Sequence, residues 1–75
     1  MEKVKSKSFD ELNTLVGKTV NFTSSCEFFP NFNVVGRVMS VRMNSGEITF
    51  DVMCLPNNRR IDIGSNMANL AYKIV

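Results

Sequence analysis

Hydrophobic residues follow a helical spacing only near the amino terminus of the chain, at Phe9, Leu12 and Leu15 or Val16. Ser8 and Glu11 form the pattern of a capping box, in which the Ser8 hydroxyl accepts the Glu11 amide and the Glu11 carboxylate accepts the Ser8 amide. Gly17 can adopt the left-handed conformation that ends a helix. The sequence therefore predicts one short helix over residues 8–16.

Beyond this helix the hydrophobic positions alternate with polar ones, which is the period of a half-buried strand. In residues 18–23, Val20 and Phe22 face one way while threonine and asparagine residues face the other. Residues 24–33 contain several aromatic residues and a proline without a clean period. This segment predicts a long, partly ordered loop.

Two turn signals set the expected pairing of the next three strands. Residues 44–47, Asn-Ser-Gly-Glu, suit a tight turn, and Asn57 with Asn58 suits a two-residue turn because asparagine tolerates positive φ. Both turns place apolar residues on one face and thereby predict a common core. The predicted apolar pairs are Met43 with Ile48, Val41 with Phe50, Met39 with Val52, Val52 with Ile63, and Cys54 with Ile61.

The first strand of this meander is long, spanning residues 33–43, and its hydrophobic parity changes along its length. Val34 and Val38 lie on the parity opposite to the predicted core residues, and Gly36 lies between them. A bend or bulge would allow one strand to serve two sheets. The pattern therefore favours a barrel over a flat sheet.

After the meander, residues 64–70 predict a single helical turn and residues 71–75 a closing strand. The order of all these elements resembles the Src-homology-3-like small barrel. In that family a long loop follows the first strand, and a short 3₁₀ turn with a Ser-Asn pair, here Ser65 and Asn66, precedes the last. The resemblance spans residues 18–75 and implies a mainly β fold, a small five-stranded barrel preceded by one short α-helix, with a 3₁₀ turn before the last strand.

Several positions depart from the peptide-binding members of that family. Gly64 stands where they carry proline, Met67 stands where they carry tyrosine, and the chain has no tryptophan. The resemblance therefore does not imply recognition of proline-rich peptides. An oligonucleotide-binding-type barrel is the alternative fold, but its helix lies between the third and fourth strands, where this chain has no helical pattern.

A chain of 75 residues holds one domain at most, because a core of this size uses nearly all the surface that it can bury. We expect a flexible amino-terminal tail over residues 1–7 and a single domain over residues 8–75. No apolar run approaches the roughly 18 residues of a membrane span. Because the amino terminus lacks the apolar stretch of a secretory signal, we expect a cytoplasmic protein with Cys26 and Cys54 as free thiols.

The residue types present argue against catalysis. The chain has no histidine to act as a base near neutral pH or to activate a cysteine. Two distant thiols without an imidazole cannot complete a zinc site, so we expect no enzyme activity, metal or cofactor. Asp51 and Asp62 share a predicted outer face with Arg42 and Arg60, which predicts a solvated charge lattice rather than an acid/base pair.

Binding is the remaining class of function, and binding to a protein is favoured. A domain this small cannot easily bury every aromatic side chain of the 24–33 loop, and exposed aromatic anchors are typical of contact surfaces. The alternative for each phenylalanine is a lid over one end of the barrel. The predicted protein-binding residues are Phe28, Phe29, Pro30, Phe32, Met53 and Leu55.

Two other hypotheses stay open. Small barrels also bind nucleic acid, although the net charge is only +2 and acidic residues are interspersed. A structural homo-oligomer, such as a dimer formed through an edge strand or the aromatic loop, is the second. The nine asparagines and the lack of an attached enzyme resemble small bacteriophage regulators or inhibitors that occupy a surface on a larger host protein. The candidate nucleic-acid-binding residues are Arg37, Arg42, Arg59, Arg60 and Lys73.

Overall fold

The computed structural model of the protein describes residues 1–25 and 31–75. These residues form a mainly β fold with one short α-helix, α1 (Phe9–Asn13), and a 3₁₀ helix (Val4–Ser6). The strands all pair antiparallel in one sheet, in the order β1-β6-β2-β3-β4-β5. They are β1 (Glu2–Lys3), β2 (Thr19–Ser24), β3 (Phe32–Asn44), β4 (Glu47–Cys54), β5 (Arg59–Gly64) and β6 (Ala71–Ile74).

The predicted start of the helix is confirmed, but the helix is shorter than expected. The Ser8 hydroxyl accepts a hydrogen bond from the Glu11 amide at 3.2 Å and donates to the Glu11 carboxylate at 3.4 Å. The α-helix ends at Asn13, and turns continue to Gly17, which has φ +86. None of the described helices is long and apolar enough to cross a membrane.

The amino-terminal residues differ from the expected flexible tail. Glu2 lies opposite Tyr72 of β6, and the Val4 amide donates to the Leu70 carbonyl at 3.0 Å. Val4 is 1% exposed and belongs to the hydrophobic core. A single valine among lysines gives no periodic signal, yet its burial is what fixes this segment to the sheet.

The core lies on one face of the sheet. Phe22 and Phe50 meet at its centre with ring centroids 5.0 Å apart. The buried apolar residues are Val4, Leu12, Leu15, Val20, Phe22, Val38, Val41, Phe50, Val52, Ile63, Leu70 and Tyr72. Val41, Phe50, Val52 and Ile63 thus confirm part of the predicted core, and Ile48 and Ile61 pack partly buried against it.

The prediction that Met39 and Met43 belong to the core is wrong. Met43 does pair with Ile48, but it lies near the end of the hairpin and is 55% exposed. Met39 is 37% exposed because the register shifts between Val38 and Ser40, so that Val38 faces Val52. A bulge in this strand was predicted, but it lies at Met39, and its extra residue returns both halves of β3 to the same core instead of letting the strand serve two sheets.

The predicted two-residue turn at Asn57 and Asn58 is also wrong. Residues 55–58 form the turn, so Val52 pairs with Ile61 and Phe50 with Ile63. The shorter turn would have placed Pro56, which has no amide hydrogen, in the ladder. The observed pairing of β5 with β4 is shifted by two residues from the predicted pairing. Because side chains alternate between the two faces of a strand, a shift of two keeps the isoleucines of β5 on the core face.

The segment before β6 is built from two successive turns. The Met67 amide donates to the Gly64 carbonyl at 3.1 Å, and the Leu70 amide donates to the Met67 carbonyl at 3.3 Å. Asn69 has φ 54, a left-handed conformation that stops the segment from continuing as a helix. The 3₁₀ helix of the described chain is Val4–Ser6, at the other end of the sequence.

Candidate protein-binding surface

The outer face of the sheet, opposite the core, carries the predicted site residues Arg37, Arg42, Met53 and Arg60. Alternate residues of β4 point outward, and the outward series runs Thr49, Asp51, Met53 and then Leu55 just beyond the strand. The same strand therefore presents charged groups at one end and apolar groups at the other. The residues of β3 and β5 that flank each end of β4 also differ.

Three apolar side chains meet on this face; we call Val35, Met53 and Leu55 the apolar patch. The Leu55 amide donates to the Val35 carbonyl at 2.9 Å, which makes these two residues direct cross-strand neighbours. Met53 lies two residues before Leu55 on the same face. Val35 is 37% exposed, Leu55 is 50% exposed and Met53 is half-buried.

Basic and neutral residues border the apolar patch. Arg37 of β3 and Arg60 of β5 lie opposite Met53 on its two sides. Asn21 of β2 separates Val35 from Lys73 of β6. One cross-strand row of the described sheet contains Arg37, Met53 and Arg60, and the next row contains Lys73, Asn21 and Val35. None of the described strand residues paired in these two rows is acidic.

The neighbouring part of the outer face is a charge lattice, formed by Arg42, Asp51, Arg60 and Asp62. Asp51 and Asp62 lie directly opposite each other. Arg60 grips Asp51 with two nitrogens, of which Nε lies 2.9 Å from Oδ1, and Arg42 Nη2 lies 3.5 Å from Asp62 Oδ1. Hydrogen bonding to Arg60 holds the pKa of Asp51 below its usual range. The predicted solvated charge lattice is confirmed.

The structure brings together only part of the predicted protein-binding set. Met53 and Leu55 are neighbours on the outer face. Phe32 has the opposite parity, is half-buried and packs against the core, which fits the lid alternative. Phe28, Phe29 and Pro30 fall outside the described residues.

Sequence reasoning missed Val35. Val35 and Arg37 are two residues apart and both lie before the bulge, so their side chains point to the same face of the sheet. The outward position of Val35 could therefore be inferred from that of Arg37. Its position beside Leu55, however, depends on how β3 and β4 pair beyond the bulge. No turn signal fixes that pairing, so the patch was visible from the sequence only in part.

The candidate nucleic-acid-binding residues are dispersed. Arg42 and Arg60 are paired with carboxylates in the charge lattice. Arg37 and Lys73 border the apolar patch, and Arg59 is exposed at the start of β5, opposite Cys54. The structure therefore does not gather the five residues into one basic stripe.

The ends of the predicted long loop are anchored to the turn before β6. Ser24 pairs with Phe32, which extends the hairpin two residues into the region expected as loop. The buried Ser24 hydroxyl donates to the Ala68 carbonyl at 2.7 Å, and the Asn69 amide group lies 3.4 Å from the Ser25 carbonyl. An open cleft lined by Thr23, Asn31 and neighbouring residues lies at this junction.

Comparisons of this chain with protein-family models, with curated proteins and with solved structures found no match. The function of the outer face is therefore argued from its own geometry.

Proposed function

We propose that this protein is a non-enzymatic protein-binding module and that the apolar patch is the centre of its contact surface. The observation that carries the proposal is the position of Val35, Met53 and Leu55 in adjacent strands, all on the solvent side. Isolated exposed apolar residues are ordinary, but contiguous ones rimmed by polar groups are typical of interaction sites. Such a centre loses contact with water when a partner covers it.

The border of the patch suggests the chemistry of the partner. Arg37 and Lys73 bring positive charge to its rim, and the carboxylates of Asp51 and Asp62 are engaged by arginines in the lattice. A partner surface with one or two apolar side chains surrounded by carboxylates would complement this arrangement. Phe28, Phe29 and Pro30 stay predicted protein-binding residues outside the described part of the chain.

We also propose that residues 18–75 form a Src-homology-3-like barrel. The pairing of β6 with β2 supports this, because it brings the last strand beside the first strand of the proposed barrel. The biological role that fits a module of this size is a bacteriophage-type regulator or inhibitor. It would act in the cytoplasm by covering a surface of a larger host protein.

The proposal is tested by capture from extract of the cells that produce the protein, with matched variants as bait. We expect Val35→Ser with Leu55→Ser to lose a protein that wild type retains. Met43→Ser is the control, because Met43 is as exposed as Leu55 but lies outside the patch. Loss with the control as well as with the patch variant would contradict the assignment.

Nucleic-acid binding is the second candidate, and one observation favours it. The two outer-face rows that contain Arg37 and Lys73 hold no acidic strand residue in the described sheet. Binding to phosphates would weaken steeply as salt rises, whereas an apolar contact would change little. Titration of a labelled single strand at about 0.05 and about 0.5 M salt separates the two candidates.

A further inference from the structure

Strand β5 forms one edge of the sheet. Among the described strands it is the last in the sheet order and pairs with β4 alone. Its residues Arg59, Arg60 and Asp62 are exposed, and Ile61 is half-buried. It contains no proline or bulge that would prevent another strand from adding to it.

The hydrogen-bonding direction of each β5 residue follows from one observed bond. The Ser65 amide donates to the Ile48 carbonyl at 2.8 Å, so this pair is a hydrogen-bonded pair of the antiparallel ladder. Because such pairs alternate, Ile63 and Ile61 also point their backbone groups toward β4. The N–H and C=O groups of Arg60 and Asp62 therefore point to the free edge. No backbone or side-chain hydrogen bond to these groups is found among residues 1–25 and 31–75.

Charge decides how this edge can pair with itself. An added antiparallel copy must oppose outward-pointing residues, which allows Arg60 against Arg60, Asp62 against Asp62, or Arg60 against Asp62. The first two place like charges opposite each other and are unfavourable. The third register places Arg60 of each copy opposite Asp62 of the other. The two-fold axis then passes between the two copies of Ile61, and one pair of opposite charges lies on each side of it.

We propose that β5 is a self-association edge, on which a second copy of this chain pairs through Arg60 with Asp62 of the partner subunit. The pairing provides about four backbone hydrogen bonds. It adds an ion pair on each side of the axis and places Ile61 against Ile61 of the partner subunit. Asp62 keeps free acceptor positions, since its side chain is 65% exposed beside Arg42.

The proposed dimer continues the sheet across the axis. The β4 strands of the two copies lie three strand spacings apart, about 14 Å. Both apolar patches are then on the outer face of one extended sheet. A two-fold symmetric or repetitive partner could contact both patches at once.

A charge-reversal pair tests the register. Arg60→Asp leaves two acidic residues on the edge and Asp62→Arg leaves two basic ones, so each variant repels its own copies. An equimolar mixture restores opposite charges at both positions. We expect wild type to dimerise in sedimentation equilibrium at concentrations up to about 500 µM, each variant alone to be monomeric, and the mixture to form heterodimers.

Two control variants isolate the edge from other effects. Lys73→Asp makes the same charge change on β6, away from β5, and Asp51→Asn removes the bridge to Arg60 without changing the edge charges. Both should dimerise like wild type, and circular dichroism establishes that every variant is folded. A monomeric wild type, or single variants that dimerise as strongly as wild type, would overturn the proposal. Neither result bears on the apolar patch.

Discussion

The two ends of β4 carry different kinds of side chain on the outer face of the sheet, charged at one end and apolar at the other. At Asp51 the outward charges satisfy one another, because each carboxylate of the charge lattice has an arginine within 4 Å. At Met53 and Leu55 the outward side chains are apolar and partly exposed to water. An exposed ion pair contributes little free energy to a contact, whereas an exposed apolar patch gains free energy when it is covered. The proposed contact with a different protein is therefore centred on the apolar end, and at the charged end the proposed pairing of two copies relies mainly on the backbone groups of β5.

The largest expected effect comes from the two glycines that lie near these two ends. A Cβ on Gly36 would lie 2.5 Å from the Met53 carbonyl oxygen and 2.6 Å from Val52 Cγ1, whereas a Cβ on Gly64 would meet only the flexible Glu47 side chain, at 2.9 Å. We expect Gly36→Ala to lower the free energy of unfolding by about 2 to 3 kcal/mol and Gly64→Ala by clearly less. Urea unfolding measures both. Equal losses would show that the backbone beneath the patch is not closely packed.

Substitution within the apolar patch should separate binding from stability. Leu55→Ser removes apolar area that faces solvent, so we expect the free energy of unfolding to change by no more than about 0.5 kcal/mol. Partner affinity should fall about tenfold or more, because a covered apolar anchor is lost. Isothermal titration with the captured protein measures this. A large loss of stability with affinity intact would assign Leu55 to the core instead.

The basic border should have a smaller effect, mainly on the association rate. Neutralising Arg37 and Lys73 with alanine should slow association several-fold at low salt, because exposed charges steer encounter more than they stabilise the complex. At about 0.5 M salt the difference from wild type should vanish. Surface plasmon resonance at two salt concentrations provides the comparison. A difference that persists at high salt would indicate direct, desolvated contacts.

The smallest effect is expected within the charge lattice. Arg60 lowers the pKa of Asp51, so the ionised Asp51 side chain stabilises the folded state. This contribution to stability is complete above the usual pKa range of carboxylates and is lost as the pH falls through the lowered pKa of Asp51. We expect Asp51→Asn to melt slightly below wild type at pH 7, and we expect this difference to shrink as the pH falls below the usual carboxylate range. Thermal melts across this range provide the test. A constant difference at all pH values would show that the charge is not responsible.

The sequence predicted the structure best where local signals were strong. The turn at residues 44–47 correctly placed Met43 beside Ile48 and Val41 beside Phe50. The Ser8 cap was likewise visible, because both partners lie within one turn of helix. In each case neighbouring residues alone determine the geometry.

Features that depend on distant contacts could not be predicted in the same way. The change of parity along β3 indicated a bend or bulge, but its position at Met39 depends on how β3 pairs with β4, which no local pattern specifies. Val4 is buried only because Leu70 and β6 lie beside it in three dimensions. The apolar patch combines both problems, since Val35 meets Leu55 only after the bulge has set the register. Two of the three residues of the apolar patch, Met53 and Leu55, were therefore predicted, and Val35 was not.

Photo-crosslinking from single positions tests the central claim most directly. A photoreactive amino acid is placed at position 55 in the apolar patch, or at position 43 as the equally exposed control, in cells that produce the protein. We expect position 55 to crosslink to a protein partner and position 43 to give no crosslink. Crosslinking from position 43 alone, or from position 55 to nucleic acid, would show that the apolar patch is not the protein-binding surface.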